Sequence, residues 1–523
     1  MIHLTKQTSL SHLLCNLLLL LFLLTACADS TPEPTPSPAV PTAVPTWTPS
    51  RITATPYPDP TPFPERTIVE SELKEGAIYV APTGDDASPG TLQQPLRTIQ
   101  AALEQVQPGE TIYVRQGVYR EAITLAKSGE PGRPITLSAY PGERPLIEGD
   151  YQLPTGEPAR WNNEIEPPRY FVWGALVRIR ASHVRFVGFE VQHSLGRAIL
   201  ISDGETARIQ DIELSDCLVH DSRHSLVRIM YADNVTVQGC QFYHASDYAT
   251  HSRSLDDLNW PAALATIDAT NLIFRENIVH ESWSSGISPG LDSQNVTIEK
   301  NIIYDQMGQQ IYVHRSQGVT VRDNLIYHSN QPAFRRFDDP STCIALNNEE
   351  GFDTDATVTD VVIEQNIFVG CKRNIGLWRS EGSGMPIENV RIVNNTLVNA
   401  TSNKDLANAI GLFVAPGNFQ NIRIARNVIV QAQGVLVMAP DDPAVTFRRN
   451  AWSAVPDPVA QSDSDSIGNF QLQNPNAPLV PGTVQPEWYI PVATSTTVLN
   501  NLGATDFYQP RSWQLPTPKR VTN

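Results

Sequence analysis

Two stretches hold most of the side chains in this chain that could do chemistry. One runs from Asp247 to Trp260 and carries His251, Arg253, Asp256 and Asp257. The other runs from Gln331 to Pro340 and carries Phe334, Arg335, Arg336, Phe337, Asp338 and Asp339. Asp256, Asp257, Glu281, Asp338 and Asp339 are candidate carboxylates for cleaving a glycosidic bond by hydrolysis, which needs two carboxyl groups about 5–10 Å apart. Arg335 and Arg336 suit a different reaction, elimination from a uronic acid, in which a cation offsets the charge of the sugar carboxylate. Trp283, Tyr312, His314 and Trp378 are candidate sugar-binding residues, because a ring face offers an apolar patch beside groups that can meet hydroxyls. The plainer readings are a solvated turn for each Asp-Asp pair and packing beneath a loop for each aromatic.

The elements that must position these residues form a repeat. From Ala181 to Asn450 a short β-branched run is followed by a fixed column and then a second apolar pair. The column reads Cys217, Cys240, Asn277, Asn301, Asn324, Asn366, Asn395, Asn427 and Asn450. Alternation of period two marks strands, and a fixed period of this length marks a stacked solenoid. Val- and Ile-rich strands without a helical stripe point to an all-β parallel β-helix. Each coil then rises about 4.8 Å, and stacked Asn amides can satisfy one another in the interior. The column is therefore structural.

Function in a regular coil falls to its oversized rungs. Column spacing grows from 23 (Cys217 to Cys240) to 37 before Asn277, and to 42 before Asn366. Both excesses leave the coil at the same turn, after His244 and after His328. Three rung steps, roughly 14 Å, separate them. Two walls and a floor follow, with Glu281, Ser282, Trp283, Ser284, Gln306 and Met307 on the floor. Ile311 and Val313 fit inward positions, so Tyr312 and His314 face outward, and Trp378 takes the matching place two rungs on. Arg315, Arg335, Arg336, Lys372, Arg373 and Arg379 make this half of the coil locally basic.

His193, His220, His244, His280, Asp305 and His328 read as a second file at one turn. It is expected to be structural rather than a metal cage, and protonation of stacked rings would weaken the fold below about pH 6. Cys217 and Cys240 share the ladder column one rung apart, so either a disulfide or two small buried thiols fits. Cys343 and Cys371 lie on neighbouring rungs without evident register.

The N-terminal opening of the repeat is its most specific part. Ile78-Tyr79-Val80-Ala81 leads to Gly84-Asp85-Asp86, Pro89-Gly90-Thr91, Thr98-Ile99-Gln100-Ala101-Ala102 and Pro108-Gly109-Glu110-Thr111-Ile112-Tyr113-Val114. A short helix there places Leu96, Ile99, Ala102, Leu103 and Val106 near one face, suited to plugging an open coil. These residues resemble the right-handed parallel β-helix proteins of the pectin-lyase-like group, over about Ile78 to Arg511. The resemblance implies a polysaccharide partner and either a lyase or a hydrolase. A non-catalytic carbohydrate-binding or adhesive protein is the alternative. Lyases of that group use Ca²⁺ or Arg to neutralise charge, but no calcium cluster or catalytic lysine motif is matched here. The metal therefore stays open, and no role is carried over to any residue.

Composition bounds the rest. The chain has 523 residues with 38 Lys+Arg against 55 Asp+Glu, a net charge of −17, which disfavours nucleic acid as a partner. Residues 1–27 read as a signal peptide ending in Leu24-Thr25-Ala26-Cys27, which resembles a bacterial lipobox with Cys27 as the lipidated residue. Ordinary cleavage near Ala26 or Ala28 is the alternative. Residues 28–70 form a Thr/Pro-rich linker, 71–451 the β-helix and 452–523 an irregular C-terminal cap. The expectation is a monomeric, lipid-anchored protein on the cell surface.

Overall fold

The structure is a computed structural model that describes residues 73–154, 174–204, 207–246, 262–349, 355–378, 384–468, 470–492 and 502–504. Three parallel sheets wind into a right-handed β-helix. The first has 13 strands, from Ile78–Val80 to Val445–Arg448. The second also has 13, from Val118–Tyr119 to Ser466–Ile467, and the third has 11, from Ile123–Leu125 to Val435–Met438. Each coil gives one strand to each sheet in turn. One coil runs through Gln294–Glu299, Ile302–Gln306 and Ile311–His314. Inward Val and Ile side chains fill a single core, in which Val296, Ile298, Ile303, Ile311 and Val313 are fully buried.

The Asn column is a continuous ladder. Asn301 Nδ2 donates to Asn324 Oδ1 at 3.0 Å, and Asn324 Nδ2 donates to Asn366 Oδ1 at 2.9 Å. The backbone N–H of each rung reaches the same oxygen of the next. The residue before each ladder position has left-handed backbone, as at Lys300 (φ 58°), Asp323 (φ 57°) and Gln365 (φ 57°). That conformation costs a non-glycine residue on the order of 1 kcal/mol, and the buried amide bonds hold it in place. At the N-terminal end, the helix Ile99–Gln105 begins at Thr98, whose Oγ1 accepts from Ala101 N–H. Its Ile99, Ala102 and Leu103 are buried with Leu96 and Val106, as the spacing predicts.

The cysteines of the column take the second of their two expected forms, and the histidine file differs from expectation. Cys217 and Cys240 are free, buried thiols. In the parallel ladder their side chains point the same way, and Cys240 Sγ takes the role of an amide oxygen by accepting Cys217 N–H at 3.3 Å. The disulfide joins Cys343 and Cys371, with Cα atoms 5.5 Å apart. One coil returns the chain to the same turn, just before strands Ile344–Asn347 and Arg373–Leu377.

The histidine file is in fact two files. His220, Tyr243, His280, Tyr304 and Tyr327 stack ring on ring along the second sheet, with centroids 4.6, 5.0, 4.9 and 4.8 Å apart. One residue further on, His193, Asp221, His244, Glu281 and Asp305 have positive φ. The left-handed bend turns these side chains back to pair with the stack, as in His220–Asp221 (2.6 Å) and His280–Glu281 (2.9 Å). Tyr243 separates the rings of His220 and His280, so the file does not stack like charges.

Candidate functional site

The outer face of the third sheet carries a groove of about 350 Å³ at the rungs of Ile311–His314, Ile344–Asn347 and Arg373–Leu377. Core residues on either side turn Tyr312, Ala345 and Gly376 outward. The loop between Tyr327 and Ile344 forms one wall and contributes Arg336, Phe337 and Pro340. Lys372, Arg373 and Trp378 close the far end.

Trp378 lies over the sheet because residue 376 is glycine. A Cβ at Gly376 would sit 2.2 Å from the indole ring. The indole packs 5.6 Å from Phe413, and the Arg373 guanidinium lies 4.6 Å from the Phe413 centroid and 5.5 Å from that of Trp378. Burial lowers the pKa of both Arg373 and Arg336. Phe337 is 57% exposed at the loop tip, and both it and Asp338 hold left-handed backbone (φ 51° and 65°). An exposed ring on strained backbone beside a groove suits a sugar face.

Asp339 anchors the wall. It accepts from Lys372 Nζ at 2.7 Å, Ser402 Oγ at 3.0 Å and Asn403 N–H at 2.7 Å. Burial alone would raise its pKa, but these donors hold it below the usual carboxylate range. The Tyr312 hydroxyl donates to Glu349 Oε1, and burial beside that carboxylate pushes its pKa well up. The described lining thus holds three cations, Arg336, Lys372 and Arg373, and one carboxylate, Glu349.

Of the sequence candidates, Arg336, Tyr312 and Trp378 come together here. His314 stacks on Tyr312 at 5.5 Å but is itself buried, and burial lowers its pKa. Arg335 turns back into its own loop, donating through Nε to Asn330 Oδ1 at 2.8 Å. Asp338 is exposed outside the groove lining, and its carbonyl accepts Asn403 Nδ2 at 2.7 Å. Glu281 is 2% exposed, faces His280 and accepts from Gln331 Nε2 at 3.2 Å. Trp283 packs between His244 and Phe334, at 5.4 Å from each. Asp256, Asp257, Arg379 and Cys27 lie outside the described residues. Lys372, Arg373, Phe337 and Gly376 were not among the site candidates. Only the local basic run hinted at the first two. Among the described residues, no group of three or more His, Cys, Asp or Glu could hold a metal ion, so no calcium site is assigned to them.

Comparison with known proteins places this architecture. Pectate lyase PEL9 of Emericella nidulans is 45% identical over 84 residues, 16% of this chain and 20% of that protein. The uncharacterized protein YwoF of Bacillus subtilis is 35% identical over 129 residues, 24% of each chain. This chain therefore matches about a quarter or less of the length of these relatives. The crystal structure of pectate lyase Pel9A superposes with a TM-score of 0.44 at 15% identity, covering 72% of this chain and 79% of that one. Residues 78–384, more than half of the chain, match the family described as "Pel9A-like, right handed beta helix region". The chain belongs to this family of right-handed β-helix proteins.

Proposed function

We propose that this protein holds a uronate-bearing polysaccharide across the third sheet and cleaves it by β-elimination. In that reaction a base removes the C5 proton, the C4–O bond breaks, a C4=C5 double bond forms and the leaving oxygen gains a proton. The observation that carries the reading is the charge around the groove, where Arg336, Lys372 and Arg373 outnumber Glu349 and the Asp339 tied to Lys372, in a chain of net charge −17. Hydrolysis needs two facing carboxylates. Among the described residues, Glu281 is turned to His280, Asp339 to Lys372 and Glu349 to Tyr312. Arg336 and Arg373 would neutralise the sugar carboxylate, and Trp378 and Phe337 would hold ring faces. The two pectate lyases among the curated relatives support a pectic substrate. We further propose that Cys27 is lipidated and that the coil works at the cell surface. The Cys343–Cys371 disulfide fits an oxidising compartment.

A second reading, binding without cleavage, is favoured by Lys372. Its ammonium is tied to Asp339 at 2.7 Å, so it braces the wall instead of taking a proton from a sugar. A panel of polygalacturonate, alginate and neutral polysaccharides, with and without calcium, separates these readings. Elimination gives ultraviolet absorbance from the new double bond together with reducing ends, and Arg373→Ala should reduce it at least tenfold. Reducing ends without that absorbance would overturn the proposal in favour of hydrolysis. Binding with neither signal would establish the second reading.

A further inference from the structure

β-Elimination moves two protons, one from C5 to a base and one from an acid to the leaving oxygen at C4. Among the described side chains that line the groove, few can serve. Arginine stays protonated in proteins, and Lys372 is tied to Asp339 at 2.7 Å. The remaining titratable groups of the lining are the Tyr312 phenol and the Glu349 carboxylate. They are bonded to each other. The phenol donates to Glu349 Oε1 and accepts from Asn347 Nδ2 at 3.3 Å. Tyr312 points outward between the core residues Ile311 and Val313, and the next two residues of its file, Ala345 and Gly376, are too small to cover it. Its ring stacks on His314, whose strand partner is Asn347, so the sheet fixes both neighbours of the phenol. The Glu349 carbonyl accepts Arg315 Nε–H at 2.6 Å, which holds the backbone that carries the carboxylate. Burial beside that carboxylate keeps the proton on the phenol.

A hydrogen-bonded pair reaches a sugar ring from one side. An acid and a base on opposite faces, each within about 3 Å of the atom it serves, stand about 6 Å apart. Two oxygens that share a hydrogen bond stand only about 2.5–3.0 Å apart. The C5 hydrogen and the C4 oxygen are close enough together for such a pair when both lie on the same face of the ring. They do so in mannuronate and glucuronate. In galacturonate and guluronate they lie on opposite faces.

We propose that Glu349 and Tyr312 are the base and the acid of a syn elimination, which selects 4-linked mannuronate or glucuronate over galacturonate and guluronate. Glu349 takes the C5 proton, the C5–H electrons form the C4=C5 bond and the C4–O bond breaks. Once neutral, Glu349 no longer competes for the phenol proton, which goes to the leaving oxygen. The proton on Glu349 then passes to the phenolate across their shared bond and restores both groups. This rests on the elimination reading above and moves its substrate from the pectic polymers of the relatives to uronates of the other ring stereochemistry. Initial rates of double-bond absorbance on polymannuronate, polyglucuronate, polyguluronate and polygalacturonate test it, with wild type, Tyr312→Phe, Glu349→Gln and the double variant. Wild type should cleave one of the first two at least tenfold faster than either of the last two. Each single substitution should lower kcat on that substrate about 100-fold or more and leave KM within about twofold. The double variant should be no slower than the slower single one, because the two groups act as a unit. Equal or faster cleavage of polyguluronate or polygalacturonate by wild type would overturn the pair and leave the elimination reading intact, whether or not the variants fold. So would single variants with full kcat, or with a raised KM and unchanged kcat, which would mark the two groups as substrate contacts. A wild type that forms no double bond on any of the four would overturn both.

Discussion

His220 lies 2.6 Å from Asp221 and 3.3 Å from Glu190, with one ring face on Tyr243. Burial alone would lower its pKa, but the two carboxylates outweigh that and raise it to about 9. A histidine raised above its unfolded value contributes stability that is complete below pH 6.5 and lost as pH climbs to the folded pKa. We expect the unfolding free energy to fall by about 3 kcal/mol between pH 6.5 and 9. His220→Phe, which keeps a ring on Tyr243, should flatten that slope in denaturant titrations. A wild-type stability that is level over this window would refute the assignment. The acid side has other causes. Burial lowers the pKa of His328. Burial would raise that of Asp221, but His220 and His244 hold it far below the usual carboxylate range. Both contributions are lost on acidification, His328's below about pH 6.5 and Asp221's below about pH 4. None of this was legible in the spacing of the histidines, because the left-handed bend that turns Asp221 back onto His220 has no residue-type signature.

The ladder turn belongs to the scale of the element. Each turn holds one residue in left-handed backbone to bring the next amide into line, and the stacked amides offset that strain only if the file is unbroken. Asn324 accepts from Asn301 N–H and Nδ2, and donates to Ile298 O and Asn366 Oδ1. Asn324→Ala leaves these buried groups without partners and should cost about 3–5 kcal/mol, read from the shift in denaturant midpoint. Asn421→Ala removes only exposed bonds, to Asn389 and from Arg423, and because Asn421 also holds left-handed backbone (φ 54°) it should cost about 1 kcal/mol. Comparable losses for both would mean that the buried amides are not what holds the turn. This element was fully legible in the sequence, since a polar residue that recurs inside an apolar repeat must find its hydrogen bonds in the copies above and below it. The disulfide was not. Cys217 and Cys240 drew attention by sharing that column, yet shared parallel orientation is what keeps them from bonding.

At the scale of the molecule, residues after the last coil cover the second sheet. Leu472, Val484, Tyr489 and Ala504 pack on Tyr304, Leu325, Tyr327, Ile367, Val369 and Val398. Gly482 N–H donates to the Tyr327 hydroxyl at 2.9 Å, and Ala504 N–H donates to Thr396 Oγ1 at 3.0 Å. Truncation after Gly468 should uncover this apolar strip, lower the Tm and cause self-association in sedimentation velocity. A monodisperse truncated protein with the full-length Tm would show the cover to be dispensable.

The coil is legible from the residues alone. Period-two alternation within strands, one polar column and a recognisable opening helix leave a single economical way to bury that much Val and Ile. The residues alone also located the wall loop after His328 and the outward aromatics Tyr312 and Trp378, because alternation fixes which side of a strand a residue occupies. Only the tertiary structure decided which charges share a groove. Arg335 and Arg336 are neighbours in the chain, yet one braces its own loop and the other lines the groove. Arg178 and Arg373 are far apart in the chain, yet stacking puts them on one face. Alternation specifies a side chain's face within its strand, whereas the path of a loop and the order of rungs depend on contacts between residues distant in sequence.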